Sequence, residues 1–234
     1  MASINTQRGK LRYTPKSLYV GIKQIDKVKA LENLRLLDIL LKSKGITWGP
    51  IFGTLLGIVR DNDFITWDED IDLYILKEQE DMFRNVLWDL SDNGFSLIRY
   101  ERRGLYSIMR NGEYIDFYVL AKIQENLRET GGGGYVFEKY IRDTIPYNFK
   151  GIELNIPREY DEFLTLSYND WRTPVQYANF EMNSFQKSIK KFIYWVKNHL
   201  PDFVYYPLLQ SYHRKDYIRF KNRCMSRGLY IDGM

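Results

Sequence analysis

Four carboxylates fall within five positions of the segment Trp67-Asp68-Glu69-Asp70-Ile71-Asp72-Leu73. Crowding that much like charge raises the cost of ionisation unless water or a cation screens it. A surface turn tolerates such a cluster, so the acids alone decide little. Their setting narrows the choice. Ile71 to Leu76 alternates and is β-prone, and residues two apart on a strand project from one face of a sheet. Asp70 and Asp72 are therefore expected side by side on a rigid strand, a hard-oxygen pair suited to Mg²⁺ or Mn²⁺, ions that also bind substrate phosphates.

The remaining composition keeps a metal on oxygen. The chain of 234 residues has a single cysteine, Cys224, and two histidines, His199 and His213. An intramolecular disulfide is excluded, and no zinc-ligand spacing can be assembled. A third acid, Asp116, stands alone among apolar residues in Tyr114-Ile115-Asp116-Phe117-Tyr118. A lone carboxylate in mid-strand is costly to bury. Asp116 is thus expected either to face water on a half-exposed sheet or to complete the acidic cluster.

Elsewhere the pattern alternates between helix and strand. Apolar residues at helical spacing predict a helix from about Val20 to Lys42, ended by Gly45. Ile46 to Phe52 reads as a strand with Pro50 at its edge or end, followed by a turn into a helix at Gly53-Thr54-Leu55-Leu56-Gly57. A second helix is expected over Glu78 to Asn93, with Gly94 as its C-cap. Strands follow over Ser96 to Glu101 and Tyr106 to Arg110, then an Asn111-Gly112 hairpin turn into Tyr114 to Leu120. Phe149 to Pro157 reads as a short strand pair, Arg158 to Tyr168 as a short helix and Ser184 to Leu200 as an amphipathic helix. The order argues for an α/β or α+β sheet, not a bundle. The glycine run Gly131 to Gly134 reads as a flexible loop, since a phosphate cradle needs a following Lys-Ser or Lys-Thr that is absent.

The turn at Gly53 has a functional and a structural reading. At a helix start, Gly53 and Thr54 can offer N–H groups and a hydroxyl to a phosphate, with Arg60 adding charge two turns later. The same residues serve equally as a tightly packed corner. Trp67 is open to stacking on a base or sugar and to ordinary packing. His213 is open to a general-base role with Asp216 as its orienting acid.

The net charge of +4 is too small to imply nucleic-acid binding by the whole chain, but it is unevenly spread. From Ser184 to Met234 there are ten Lys or Arg against three Asp or Glu. Such charges suit a solvated helix face or an anionic membrane surface, and the interleaved Phe192, Tyr194 and Trp195 favour the membrane over nucleic acid. No apolar run is long enough to span a bilayer and the N-terminus lacks a secretory pattern, so a cytoplasmic setting, peripheral at the membrane, is expected.

Taken together, Phe52-Gly53-Thr54-Leu55-Leu56-Gly57, Arg60 and Phe64-Ile65-Thr66-Trp67-Asp68-Glu69-Asp70-Ile71-Asp72 closely resemble the LicD and fukutin-related phosphotransferase family. The resemblance continues in Ile115-Asp116-Phe117-Tyr118 and, more loosely, through Ile156-Pro157-Arg158 to Tyr168-Asn169-Asp170-Trp171, covering roughly Leu31 to Pro174. It implies an α+β fold of the nucleotidyltransferase type, a mixed sheet flanked by helices; with the periodicity and charge read above, the chain divides into a core over residues 1–174 and a helical, basic extension over 175–234. It implies a Mg²⁺- or Mn²⁺-dependent transferase that moves a phosphorylated small alcohol, of the phosphocholine, ribitol phosphate or glycerol phosphate type. The donor would be CDP-linked and the acceptor a glycan or lipid-linked glycan hydroxyl. The matching residues assign metal and catalysis to Asp70, Asp72 and Asp116, while the residue chemistry above points the donor to Gly53, Thr54, Arg60 and Trp67. Two alternatives remain beside it: a nucleotidyltransferase that passes the nucleoside monophosphate to a small molecule or protein, and a non-catalytic binding module of the same fold.

Overall fold

The structure is a computed structural model that describes residues 1–16, 18, 23–131, 134–175, 188, 189, 192, 193, 196 and 199–229. The chain opens on a hairpin, β1 (Ala2–Thr6) and β2 (Gly9–Tyr13), that buries Ile4 and Leu11. Sequence patterning gave no sign of it, because two five-residue strands with one buried residue each carry almost no periodicity. Helix α1 (Lys27–Ser43) begins later than the expected Val20, since the Asp26 side chain caps it by accepting from Lys29 N–H at 3.2 Å. Its inner face is Ala30, Leu34, Leu37 and Leu41, while Val28 and Ile39 point outward. Gly45, at φ +69°, supplies the left-handed turn beyond it.

Strand β3 (Trp48–Pro50) lies at the sheet edge with Pro50 as its last residue, as the missing N–H of proline requires. Helix α2 (Phe52–Asp61) follows at once, then β4 (Asp70–Leu76), a 3-10 turn over Lys77–Gln79 and α3 (Glu80–Asp92). Next come β5 (Ser96–Glu101), β6 (Leu105–Arg110) and the long β7 (Glu113–Gln124). Asn111 and Gly112 join β6 to β7 with φ of +55° and +83°, the geometry expected of a type I′ turn. Short β8 (Leu127–Glu129) and β9 (Tyr135–Phe137) lead into α4 (Glu138–Arg142). The expected strand pair is a fuller hairpin, β10 (Thr144–Phe149) and β11 (Ile152–Pro157), followed by α5 (Tyr160–Tyr168). A long helix, α6 (Asp202–Met225), comes last. Most of the helix expected over Ser184 to Leu200 lies outside the described residues.

The main sheet has the order β3-β4-β7-β6-β5, with β8 and β9 attached to the far end of β7. Its other neighbours are antiparallel, but β4 and β7 run parallel, so the sheet is mixed. Alternate residues sort the strands into two faces. Ile71, Leu73 and Ile75 of β4 and Ile115, Phe117 and Val119 of β7 pack with α1, α3 and the N-terminal hairpin. Tyr74, Leu76 and Leu120 look the other way, into a second apolar cluster with α2, α4, α5 and α6. Tyr205, His213, Phe220 and Cys224 form the buried side of α6, and Phe220 packs its ring against Tyr135 and Phe137. Among the described residues no helix is long and apolar enough to cross a membrane.

Candidate active site

The face of β4 that carries Tyr74 and Leu76 begins with Asp70 and Asp72. In the parallel register Asp72 lies beside Asp116 and Asp70 beside Tyr114. Asp116 therefore faces the cluster and not water, and is buried. One carboxylate oxygen from each of Asp70, Asp72 and Asp116 lies within 4.8 Å of the others. Three converging hard-oxygen donors fit an ion of the Mg²⁺ or Mn²⁺ kind, and no histidine or cysteine joins them to favour zinc.

Helix α2 fixes Asp72 from its first turn. The Asp72 N–H donates to Thr54 Oγ1 at 2.8 Å, and the Asp72 carbonyl accepts from Ile51 N–H at 3.1 Å. Thr54 is buried, and its hydroxyl holds the acidic strand in place. Gly53 does reach the site. A Cβ there would stand 2.5 Å from Asp68 Oδ2 and 3.7 Å from Asp72 Oδ2, so the missing side chain is what lets helix and acids meet. Gly57 is the structural half of the motif, for its Cβ would strike the Asp63 carbonyl oxygen at 2.6 Å.

Burial is the main reason that Asp70 and Asp72 hold their protons well above the usual carboxylate range, and the neighbouring carboxylates add to it. A hydrogen bond from Tyr118 to Asp72 works against that rise. Burial, then the charge of Glu69, pushes Asp68 up to about 6. Asp116 is also raised by burial, opposed by Arg99 and Ser107: its Oδ1 accepts from Ser107 Oγ at 2.5 Å and its Oδ2 from the Arg99 guanidinium. Neither Arg99 nor Ser107 could be singled out from sequence, because their place beside Asp116 depends on strand register.

Asp72, with Asp68 and Glu69, opens onto a cleft of about 420 Å³ walled also by Gly53, Trp67, Tyr118, Tyr168 and Trp171. Arg60 and Asp170 also line it. Arg60 is engaged by its neighbour, donating to both Asp61 oxygens at 2.9 and 2.7 Å. Trp67 lines the cleft while packing on the apolar cluster behind it, so both of its readings have a physical basis. His213 lies elsewhere. Its ring nitrogens are 3.0 Å from Glu129 Oε2 and 3.2 Å from the Gly131 carbonyl oxygen, and Asp216 is paired with Arg219 instead.

A mixed sheet whose parallel central pair carries three convergent acids under a helix N-terminus belongs to the nucleotidyltransferase type of α+β fold. Residues 45–159 match the LicD/FKTN/FKRP nucleotidyltransferase domain, so this stretch of the chain carries a domain of that transferase family. No curated protein sequence matches the chain. Among solved structures, the lincosamide antibiotic adenylyltransferase LnuA with bound lincomycin is similar, at 11% identity and a TM-score of 0.42 over 68% of this chain and 93% of that one. A solution structure of the antibiotic-resistance factor ANT(2'')-Ia is similar at 12% identity and a TM-score of 0.45, covering 86% of this chain and 99% of that one.

Proposed function

We propose that this chain transfers a phosphorylated small alcohol from a CDP-linked donor to a hydroxyl of a glycan or lipid-linked glycan. The observation that carries the reading is the convergence of Asp70, Asp72 and Asp116, with Asp72 lining a cleft walled by aromatic side chains. The family match supports the phosphotransferase class and the glycan acceptor. Asp70 and Asp72 would hold a divalent cation, with Asp116 as the third ligand. When bound, such an ion supplies positive charge to the phosphate oxygens of the donor.

In this reading the acceptor oxygen forms a bond to the phosphorus that carries the alcohol, and the bond from that phosphorus to the cytidine monophosphate oxygen breaks in line. Asp116 takes the hydroxyl proton; burial raises its proton affinity, and its oxygens accept hydrogen bonds from Arg99 and Ser107. Gly53 permits close approach of the helix N-terminus, Arg60 meets donor phosphate, and Trp67 and Tyr118 offer flat apolar surface to the donor.

A thermal-shift screen of cytidine, uridine, guanosine and adenosine diphosphate derivatives with Mg²⁺ or Mn²⁺ tests the donor. Bound ligand raises apparent stability by mass action. A selective cytidine response is expected, and a response confined to a purine nucleotide would remove the CDP-linked donor. Isotopic label in each half of the responding donor then reports which half reaches the acceptor; label arriving with the nucleoside monophosphate makes the chain a nucleotidyltransferase instead.

The acceptor side of the reading extends to a membrane surface. Leu208 and Ile218 are exposed on α6, the helix that also exposes Arg214 and Lys215, an arrangement that suits an anionic bilayer better than nucleic acid, which gains little from exposed aliphatic groups. Arg223 and Arg227 tie this part of the chain to the Leu166 and Thr165 carbonyls of α5, the helix whose end walls the cleft. Co-sedimentation with anionic vesicles that weakens at raised salt is expected, and equal indifference to neutral and anionic vesicles would end this part of the proposal. Lys190, Lys191 and Trp195 lie outside the described residues.

A further inference from the structure

One row of polar side chains crosses four strands: Arg99 on β5, Ser107 on β6, Asp116 on β7 and Asp72 on β4 are successive register partners. Arg99 reaches this row through a defect. The pairing of β5 with β6 runs Leu97 to Ile108 and then Arg99 to Ser107, so a bulge intervenes. Unbroken pairing would set Ile98 opposite Ser107 and turn Arg99 off the row, and bulges are a recurrent device for re-aiming a side chain beside a site.

The three side chains close a ring. Arg99 Nε donates to Ser107 Oγ at 2.8 Å, Ser107 Oγ donates to Asp116 Oδ1 at 2.5 Å, and the Arg99 guanidinium donates to Asp116 Oδ2. Both oxygens of Asp116 are thereby oriented. Asp116 and Ser107 are buried, and the Arg99 side chain is 20% exposed. Burying an ion pair gains little net stability against hydrophobic residues of the same volume, so fixed geometry is the stronger reason to keep one.

We propose that Arg99, braced by Ser107, is a positioning residue for Asp116: the two fix the plane of its carboxylate beside Asp72 and so preset the third oxygen donor of the acidic centre. The inference rests on the metal-dependent reading above and adds two residues to it. A role as mere counter-charge predicts the opposite sign in one measurement. Removing a positive charge beside three carboxylates strengthens their attraction for a cation, whereas freeing an oriented ligand weakens binding, typically about 10–100-fold for partners that orient metal ligands.

The test is a Mn²⁺ titration of the full chain without donor, read by thermal shift. For Arg99→Gln the Mn²⁺ concentration at half-maximal shift is expected to rise about tenfold or more. Ser107→Ala should raise it less, and Arg99→Lys, which keeps the charge without the planar fork, should fall between Gln and the parent. On an Asp116→Asn background Arg99→Gln should add nothing further, since the two act as one unit. A parent that responds to Mn²⁺ while Arg99→Gln binds equally or more tightly overturns this inference and leaves the transferase reading standing. A parent with no Mn²⁺ response overturns both. Should Arg99→Gln not fold, Ser107→Ala decides, because it removes one hydroxyl and no charge: an unchanged Mn²⁺ midpoint there refutes the positioning role.

Discussion

Asp72 and Asp116 are register partners on two parallel strands, so their carboxylates stand side by side for as long as the sheet exists. Neither can relieve the repulsion by a change of rotamer alone, for the Asp72 backbone is fixed at both ends by Thr54 and Ile51, and Asp116 is held by Arg99 and Ser107. Relief has to come from a proton or a cation.

That relation sets the pH dependence of stability. Asp70, Asp72 and Asp116 are raised in the fold, and Asp68 is raised to about 6. The native chain therefore holds more protons than the unfolded chain above the ordinary carboxylate range, and stability from these groups is complete at low pH and lost as pH rises through their folded values. Paired acids such as Glu78, Glu80 and Glu138 are lowered and act in the opposite sense, but their contribution is complete by about pH 5.5. The cation-free melting temperature is expected to fall between about pH 5.5 and pH 8, and saturating Mn²⁺ should flatten or reverse that fall. Melting curves with parallel slopes in Mn²⁺ and in chelator would show that the cluster binds no ion.

Substitution of the acids separates chemistry from folding. Asp70→Asn and Asp72→Asn are expected to abolish transfer while raising the melting temperature of the cation-free chain at pH 8, because each removes a charge that burial and its neighbours oppose. Asp116→Asn should lower kcat by about 10²–10⁴-fold if it takes the acceptor proton. Activity assays and thermal melts on the same samples check both halves. Full turnover in either Asp70→Asn or Asp72→Asn defeats the catalytic assignment.

The residues legible in the sequence were those whose role is set locally. Asp70 and Asp72 share a face because strands alternate, Gly112 sits in its turn because of its φ, and Pro50 ends its strand because it lacks a donor. The side chains that complete the site were hidden because distant pairing sets their neighbours. Arg99 reads as one charge in a short strand until the bulge before it is known. Thr54 is open to a phosphate-binding and a packing reading until the helix is docked on β4 and its oxygen meets the Asp72 N–H. Arg128 gives no hint that it is the largest fully buried side chain of the protein's described residues.

Arg128 lies on β8 and ties three elements together. It donates to Glu78 at 2.9 and 3.0 Å, to the Leu120 carbonyl oxygen at 2.9 Å, and to Glu138. Arg128→Met would leave the Glu138 carboxylate, 14% exposed, without its main partner, and a cost of about 3–5 kcal/mol is expected. Glu78 is half exposed, so Glu78→Gln should cost less than about 1 kcal/mol. Urea denaturation of the two variants tests the difference; equal losses would mean that the buried guanidinium is satisfied elsewhere.

Two glycines four residues apart in α2 are predicted to fail in different ways. At Gly57 an added Cβ meets the Asp63 carbonyl oxygen at 2.6 Å, with the Ile65 N–H at 3.1 Å behind it. Backbone atoms have little room to withdraw, so Gly57→Ala should destabilise the fold by about 1–3 kcal/mol, as overpacked sites do. At Gly53 the obstructing atom is Asp68 Oδ2, the end of a side chain, with Asp72 Oδ2 next at 3.7 Å. That carboxylate can swing aside, and alanine loses less backbone freedom than glycine on folding, so the melting temperature of Gly53→Ala should hold. The loss then falls on the site, where the displaced Asp68 and the new methyl group narrow the approach to Asp72. Thermal melts beside Mn²⁺ titrations distinguish the pair: Gly57→Ala should lose stability with Mn²⁺ affinity retained, and Gly53→Ala the reverse. A Gly53→Ala chain that melts early and binds Mn²⁺ normally would place that glycine in packing and outside the active centre.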